Sequence, residues 1–258
     1  MSPSELKVAK WALSSPLHAI FFDCDGTLSL IEGIDYLAEL NGVGDEVCAI
    51  TRQCMTESGM SLSSYRQRLD LVRPTALHIQ QLAQWYIRQV TPDAKTVIDV
   101  LQQMDKKIYL ISAGIKAALL PLAKFLGITE ESVFAVDVTH NRKGEYLGFN
   151  QNSDLVQPDG KSRQIRLINP TGNRCALIGD GITDLEAQSV VTRFIGYGGL
   201  GEKPIIKENA DFYITSKSLL PVLALCLTTE ERDFVDRKIN LKIDALLGQV
   251  VYRNCSAR

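Results

Sequence analysis

Two pairs of aspartates follow apolar runs and stand beside glycines. Asp23 and Asp25 come directly after the run at 17–22, and Asp180 and Asp184 lie in the segment G-D-G-I-T-D at 179–184. Carboxylates that converge out of water repel one another at a cost of several kcal/mol unless a cation offsets them. Ligands that are all oxygen favour Mg²⁺. The two pairs therefore predict a magnesium site built from aspartates.

A carboxylate neutralised by a metal suits phosphoryl transfer, because an aspartyl-phosphate divides one difficult displacement into two easier ones. One of Asp23 and Asp25 can attack while the other serves as acid and base. Ser112, followed by Ala113 and Gly114, offers a hydroxyl and backbone N–H groups at a predicted helix N-terminus. Lys161 supplies a point charge that can balance a phosphate dianion.

Each of these signals has an ordinary structural alternative. An aspartate pair before glycine can form a capped turn, a serine after a strand is commonly a helix cap, and a loop lysine is usually solvated. The order D-x-D, S, K, D-x-x-x-D, with the acidic pairs and the serine at strand ends, favours a site. The three histidines at 18, 78 and 140 have no metal-ligand spacing, so we interpret them as structural or solvated.

Alternating apolar runs and helix-like stretches predict the elements that hold these residues. The runs lie at 17–26, 106–114, 173–184, 193–199 and 211–215, with helical stretches at 96–104, 115–126 and 184–191. This alternation predicts an α/β fold, a doubly wound and mostly parallel sheet covered on both faces. Ligands of such sheets bind beyond the carboxyl ends of the strands, where the aspartates stand.

Three segments depart from this pattern. Residues 30–91 space their apolar side chains helically and predict a helical cap inserted into a core of 1–29 and 92–258. The β-rich runs within 133–149 predict a scaffolding hairpin at a sheet edge. The extension at 228–258 opens with a capping box, Thr228 and Glu231, and its apolar stripe to Val250 predicts a helix docked on the core.

Composition limits the function classes. Of 258 residues, 45% are hydrophobic and 22% charged, which excludes a disordered chain. The net charge of −2 does not favour nucleic-acid binding. Six cysteines without a C-x-x-C pair predict reduced thiols. With no signal peptide and no long apolar span recognised, we expect a cytoplasmic protein without a membrane partner.

The motifs resemble those of the haloacid dehalogenase superfamily of phosphohydrolases. The matching residues are D-C-D-G-T at 23–27, Ser112, Lys161 and G-D-G-I-T-D at 179–184, and within the superfamily the phosphoserine phosphatases are most similar, over about 17–215. The resemblance implies a Rossmann-like core and Mg²⁺. It makes Asp23 the nucleophile and a metal ligand, and Asp25 the general acid and base, which also ligates metal through its carbonyl.

The resemblance also assigns the remaining motif residues. Ser112 and Lys161 hold the phosphoryl group, with Ala113 standing where the family has glycine before Gly114. Asp180 binds Mg²⁺, Asp184 supports the lysine or the metal waters, and Thr183 contacts phosphate or water.

Substrate choice rests on the cap. Glu32, Met55 and Arg68 match the positions that hold the serine part of phosphoserine: Glu32 suits an ammonium group, Arg68 a carboxylate, and Met55 forms an apolar lid. Ser61 replaces the aromatic residue usual seven positions before the arginine. The implied function is hydrolysis of O-phosphoserine through an aspartyl-phosphate, the last step of serine biosynthesis.

Three alternatives stay open at this point. The chain can act on another small phosphomonoester, as a phosphatase or a phosphotransferase, or it can be a non-catalytic phosphate-binding module. A homodimer is also left open.

A glycine-rich run, G-Y-G-G-L-G at 196–201, has the spacing of a dinucleotide-binding motif. Its context does not fit that motif, because Pro204 follows at once and Asp211 comes only ten residues after Gly201. We therefore interpret the run as a loop near the active-site rim.

Overall fold

A seven-stranded sheet forms the centre of the molecule. The computed structural model describes residues 11–57 and 61–252, with side chains for all of these except 52–57. The strands lie in the order β3-β2-β1-β6-β7-β8-β9, and only β9 is antiparallel to its neighbour. They are β1 (Ala19–Phe22), β2 (Lys107–Ile115), β3 (Val133–Val136), β6 (Cys175–Gly179), β7 (Arg193–Tyr197), β8 (Phe212–Ile214) and β9 (Val250–Tyr252).

The central strand β1 is apolar along its whole length because both faces of the sheet are covered. All four of its residues are buried, and they pair in register with β2 on one side and β6 on the other. Strand order reverses between β1 and β6, which is the place where ligands bind in open α/β sheets. The predicted doubly wound fold is confirmed.

Eight helices of the core cover the sheet or extend from it within the described residues. The eight are α5 (Ala94–Gln103), α6 (Lys116–Leu126), α7 (Gly160–Ile168), α8 (Ile182–Glu186), α9 (Pro204–Asn209), α10 (Pro221–Cys226), α11 (Thr229–Asp233) and α12 (Arg237–Leu246). Among all the helices that the structure describes, none is both long and apolar enough to cross a membrane.

Four further helices lie between β1 and α5, in the segment predicted as a cap: α1 (Gly33–Leu40), α2 (Gly44–Glu57), α3 (Leu62–Val72) and α4 (Ala76–Arg88). Polar residues start two of them. The Ser61 hydroxyl accepts from the Ser64 backbone N–H at 3.2 Å at the start of α3, and Thr75 does the same for His78 in α4. Ser61, at the position where the resemblance led us to expect an aromatic residue, is thus a helix cap. The cap boundaries stay a prediction.

The predicted hairpin at 133–149 divides between two sheets. Its first run splits into β3, which joins the edge of the main sheet, and β4 (Val138–His140), which pairs antiparallel with β5 (Tyr146–Phe149) in a separate two-stranded sheet. This small sheet contacts the cap, because the Ala76 backbone N–H donates to the Gly144 carbonyl at 2.9 Å. It is therefore a support for the cap helices and not an edge of the main sheet.

The helical prediction for the tail is wrong at its end. The capping box of Thr228 and Glu231 is present, and Val235 and Ile243 are buried against the core. After Gly248, however, the chain extends into β9, because a run of β-branched residues finds the unpaired edge of β8. Residues 253–258 of the predicted extension lie outside the described residues.

Central-strand packing gives the first prediction. Leu177 in β6 is fully buried, so Leu177→Ala should lower the free energy of unfolding by about 2–5 kcal/mol. Leu147→Ala is the matched control, since this side chain on β5 is 66% exposed and its loss should change stability by less than about 0.5 kcal/mol. Urea unfolding followed by circular dichroism measures both. Equal losses would contradict the assignment of the core.

Candidate active site

The first aspartate pair lies directly after β1, where the chain leaves the sheet. The Asp23 backbone N–H donates to the Ile178 carbonyl of β6 at 2.9 Å, so the strand pairing continues to this residue. Gly26 then turns the chain with a φ of +68°, and a Cβ there would lie 2.3 Å from Asp180 Oδ2. Only glycine both adopts this turn and lets the two strand ends approach so closely.

The second pair stands at the end of β6, the neighbouring strand. Asp184 Oδ2 accepts from the Gly181 backbone N–H at 3.1 Å, which fixes this side chain at the first turn of α8. Asp23, Asp180 and Asp184 each offer a carboxylate oxygen, and these atoms lie within 4.8 Å of one another. All three side chains are buried. Parallel pairing of β1 with β6 thus brings together aspartates from distant parts of the sequence.

Lys161, from the first turn of α7, is the cation of this cluster. Its Nζ lies 2.9 Å from Asp23 Oδ1 and 2.6 Å from Asp184 Oδ1, and the side chain is only 4% exposed. Burial by itself would lower the pKa of Lys161, but attraction to Asp184 and Asp23 outweighs it and raises the pKa. The lysine is therefore charged and fixed beside Asp23. Burial, followed by repulsion from Asp23, raises the pKa of Asp184 to about 8.

Asp25 accepts two short hydrogen bonds through one carboxyl oxygen and a longer one, from the Ser112 hydroxyl, through the other. Its Oδ1 accepts from the Gly33 backbone N–H at 2.6 Å and from the Tyr86 hydroxyl at 2.7 Å. Its Oδ2 faces Ser112 Oγ at 3.4 Å. Desolvation, followed by repulsion from Asp23, raises the pKa of Asp25 to about 6, although the two donors act against this. A carboxyl group of that pKa can both give and take a proton near neutral pH.

The segment 112–114 also lines the cavity, but it belongs to the end of β2 and not to a helix N-terminus. Strand β2 continues through Ile115, which pairs with Val136, so α6 begins only at Lys116. The Gly114 backbone N–H instead donates to Ser112 Oγ at 2.9 Å. The predicted N–H groups are therefore those of an extended strand end.

The site opens into a cavity of about 460 Å³ between the sheet edge and the cap helices. The cap side chains Glu32 and Arg68 line it together with Asp23, Asp25 and Thr183. Arg68 is 6% exposed and lies beside the Tyr65 ring. Predicted phosphate and serine contacts thus share one cavity. The side chain of Met55 lies outside the described part of the chain, so its predicted role as a lid stays a prediction.

Two residues at this site were not recognised from sequence. Lys203 Nζ lies 2.6 Å from Asp180 Oδ2 and 3.9 Å from Glu32 Oε1. Its only local signal was the glycine-rich run at 196–201, which we interpreted as a loop near the active-site rim. Gly196 and Tyr197 of that run belong to β7, and the cavity is lined by the residues that follow the run, Glu202, Lys203 and Pro204. Tyr86 belongs to the helical apolar stripe of α4, and its spacing indicated only a core side chain.

The charge balance favours a bound cation. The carboxyl groups of Asp23, Asp25, Glu32, Asp180 and Asp184 lie beside the two lysines Lys161 and Lys203 in the described part of the site. The excess is negative, and the donors of the buried triad are all oxygen atoms. Such a set fits a hard divalent cation and does not fit a soft metal.

Comparisons with known proteins agree with this geometry. A family model described as haloacid dehalogenase-like hydrolase matches residues 17–188. The chain belongs to the haloacid dehalogenase-like hydrolases. It is 34% identical to phosphoserine phosphatase of Bos taurus over 76% of this chain and 88% of that one, and 34% identical to the Drosophila melanogaster protein of the same name over 76% and 74%.

A solved structure has the same fold. A phosphoserine phosphohydrolase-like protein from Francisella tularensis superposes with a TM-score of 0.73 at 22% identity, covering 82% of this chain and all of that chain. The family match and the curated relatives make this member of the haloacid dehalogenase-like hydrolases a phosphoric monoester hydrolase.

A glycine pair tests the geometry of the aspartates. Gly26 and Gly42 both have a φ of +68°, but a Cβ at Gly42 meets nothing within 4 Å. Alanine at either position should cost about 1–2 kcal/mol of stability through left-handed strain. Only Gly26→Ala displaces Asp180, and it should lower kcat/KM for phosphomonoester hydrolysis by about tenfold or more, the loss expected when a site group moves by an ångström. Similar activity losses in both variants would refute this account.

Proposed function

We propose that the protein is a Mg²⁺-dependent phosphatase that hydrolyses O-phosphoserine through an aspartyl-phosphate on Asp23. One observation carries the proposal: Asp23 is ion-paired to buried Lys161 inside a triad of aspartates, on the wall of a cavity that also contains Glu32 and Arg68. The ion pair and the aspartate triad suit phosphoryl transfer, and the charges of Glu32 and Arg68 suit an amino acid.

In the first step, a carboxylate oxygen of Asp23 attacks the phosphorus, and the bond from phosphorus to the serine oxygen breaks. Asp25 gives its proton to that oxygen, so serine leaves as the alcohol. Lys161 and the Ser112 hydroxyl hold the phosphoryl oxygens, whose charge Lys161 balances. The Gly114 N–H supports Ser112 in this position.

In the second step, water attacks the phosphorus of the aspartyl-phosphate and gives its proton to the Asp25 carboxylate. The acyl-phosphate bond breaks, Asp23 regains its carboxylate and phosphate leaves. Asp25 therefore returns to the protonated state in which it began. A pKa of about 6 suits a group that must do both within one cycle.

Asp23 and Asp180 would hold the Mg²⁺, with the carbonyl of Asp25, while Asp184 supports Lys161 and the metal waters. When bound, the cation supplies positive charge against the carboxylates and the phosphoryl oxygens. The all-oxygen donor set and its negative excess support this assignment.

The names of the relatives and the cap residues support phosphoserine as the substrate. Desolvation, followed by repulsion from Asp25, raises the pKa of Glu32, so the cationic ammonium group of a substrate relieves an unfavourable site. Arg68 is a second buried cation of the cavity besides Lys161, and its planar guanidinium suits a carboxylate. The second candidate, another small phosphomonoester, stays open because Ser61 replaces the aromatic residue that is usual in the family that the motifs resemble.

Serine biosynthesis is the setting in which such an enzyme acts. The predicted cytoplasmic location and the open question of a homodimer stay predictions. In the described part of the chain Cys24, Cys175 and Cys226 are free thiols, which suits a reducing compartment.

A substrate panel with Mg²⁺ tests the function. Wild type should prefer O-phosphoserine, and Asp23→Asn should abolish turnover of every ester. Arg68→Ala should raise KM for phosphoserine by about 10–100-fold, the value of a charge-assisted hydrogen bond, but change KM for phosphoethanolamine, which has no carboxylate, by less than about threefold.

Arg66→Ala is the matched control for Arg68→Ala. Arg66 lies on the same helix, is exposed and bonds to Gln151 on the outside. Its loss should leave both KM values unchanged. A preference for phosphoserine that survives in Arg68→Ala would refute the substrate assignment, and absence of turnover in wild type would refute catalysis.

Mg²⁺ binding should depend on pH. Burial and carboxylate repulsion raise the pKa values of Asp180 and Asp184, so protons compete with the cation on the acid side. We expect the apparent Kd for Mg²⁺, from isothermal titration, to be about tenfold or more lower at pH 8 than at pH 6, with proton release on binding. Asp180→Asn should abolish binding. An affinity that is equal or higher at pH 6 would contradict the site.

A further inference from the structure

Tyr86 reaches out of the cap and into the catalytic core. It lies on α4, its side chain is 1% exposed, and its hydroxyl donates to Asp25 Oδ1 at 2.7 Å. The other residues of its helical stripe, Ile79, Leu82 and Ala83, have no polar group to offer. Tyrosine in this stripe therefore adds one contact that phenylalanine would not.

The two oxygens of Asp25 have different surroundings. Oδ1 receives both the Tyr86 hydroxyl and the Gly33 N–H, so its accepting positions along the plane of the carboxyl group are taken. Oδ2 faces Ser112 Oγ at 3.4 Å, and a Cβ on Gly114 would lie 3.1 Å from it. Oδ2 is thus the oxygen directed toward the phosphate end of the site.

The lack of a side chain at Gly33 permits this arrangement. A Cβ at Gly33 would lie 2.0 Å from the Tyr86 hydroxyl oxygen and 3.0 Å from Asp25 Oδ1. No side chain fits there while Tyr86 keeps its bond to Asp25. The hydrogen bond between Tyr86 and Asp25 therefore requires a glycine at position 33.

The position of Tyr86 is fixed relative to the Asp25 loop. Ser29 Oγ donates to the Tyr86 carbonyl at 3.0 Å, and the Leu30 N–H donates to the Gln89 carbonyl at 2.8 Å. The chain thus leaves the core at Ser29 and returns beside it just after Tyr86. These bonds join the backbone around Tyr86 to the chain that follows the Asp25 loop.

We propose that Tyr86 is a positioning residue that, with the Gly33 N–H, holds Oδ1 of Asp25 so that Oδ2 is the oxygen that transfers the proton. The inference rests on the proposed role of Asp25 as acid and base. Without the hydroxyl, Oδ1 keeps only the Gly33 N–H, so the carboxyl group is held less firmly and protonation of the leaving alcohol becomes slower. Tyr86 acts in this way through Asp25, to which its hydroxyl is bonded.

Esters with different leaving groups test this directly. An alkyl ester needs the proton from Asp25, whereas p-nitrophenyl phosphate releases a stabilised phenolate that does not. Because kcat/KM reports the steps up to release of the alcohol, Tyr86→Phe should lower it by about 10–100-fold for the best alkyl substrate, but by less than about threefold for the aryl ester. Equal losses, or no loss, for the two esters would overturn the inference.

Two controls separate this inference from its premise. Asp25→Asn should show a larger alkyl-specific loss; if it shows none, the acid role itself fails, whereas a loss in Asp25→Asn alone refutes only the role of Tyr86. Tyr65→Phe removes another cavity hydroxyl, which donates to the Ala113 carbonyl at 2.8 Å, and its effect should be the same for both esters.

A double-mutant cycle gives an independent readout. Gly33→Ala should lower alkyl kcat/KM strongly in wild type but less in the Tyr86→Phe background, because the hydroxyl that the new methyl group strikes is gone. Thermal unfolding confirms that each variant folds. Additive losses would show that Gly33 and Tyr86 act separately, against the proposal.

Discussion

The pairing of Lys161 with two buried aspartates is the interaction on which the site depends. Removing carboxylates from water is costly, and it is tolerated here because the lysine lies 2.9 Å from Asp23 and 2.6 Å from Asp184. The same contacts prepare Asp23 for chemistry, since the neighbouring charge that stabilises the carboxylate also attracts a phosphoryl group. The same ion pairs therefore serve both the stability of the buried site and its proposed reaction.

Sheet topology supplies the geometry that this charge cluster requires. Strand order reverses between β1 and β6, so both ends open on the same crevice, and parallel register brings Asp23 and Asp180 together. The segment predicted as a cap lines the crevice from the other side with side chains of α1 to α4. Because its helices leave and re-enter the core at adjacent points, residues such as Tyr86 keep a fixed relation to Asp25 although 61 positions separate them.

How far the sequence predicts this site depends on the range of the interactions involved. The aspartates were predictable because each stands beside a local signal, a buried strand followed by glycine, and parallel sheets bring such ends together. Lys203 and the Tyr86 hydroxyl were not, because their partners are set by tertiary packing and nothing near them in sequence marks the contact. Strand β9 was missed for a similar reason: its pairing depends on a free edge of β8, which only the folded sheet creates.

Covalent trapping at Asp23 tests the central claim most directly. Enzyme quenched during turnover of a phosphomonoester with Mg²⁺ is reduced with borohydride, which converts an aspartyl-phosphate to homoserine but leaves a free carboxylate unchanged. Peptide mass spectrometry should then find homoserine at position 23 and at no other aspartate, and none without substrate. Reduction at Asp25, Asp180 or Asp184 in place of Asp23, or at no residue during active turnover, would contradict the account.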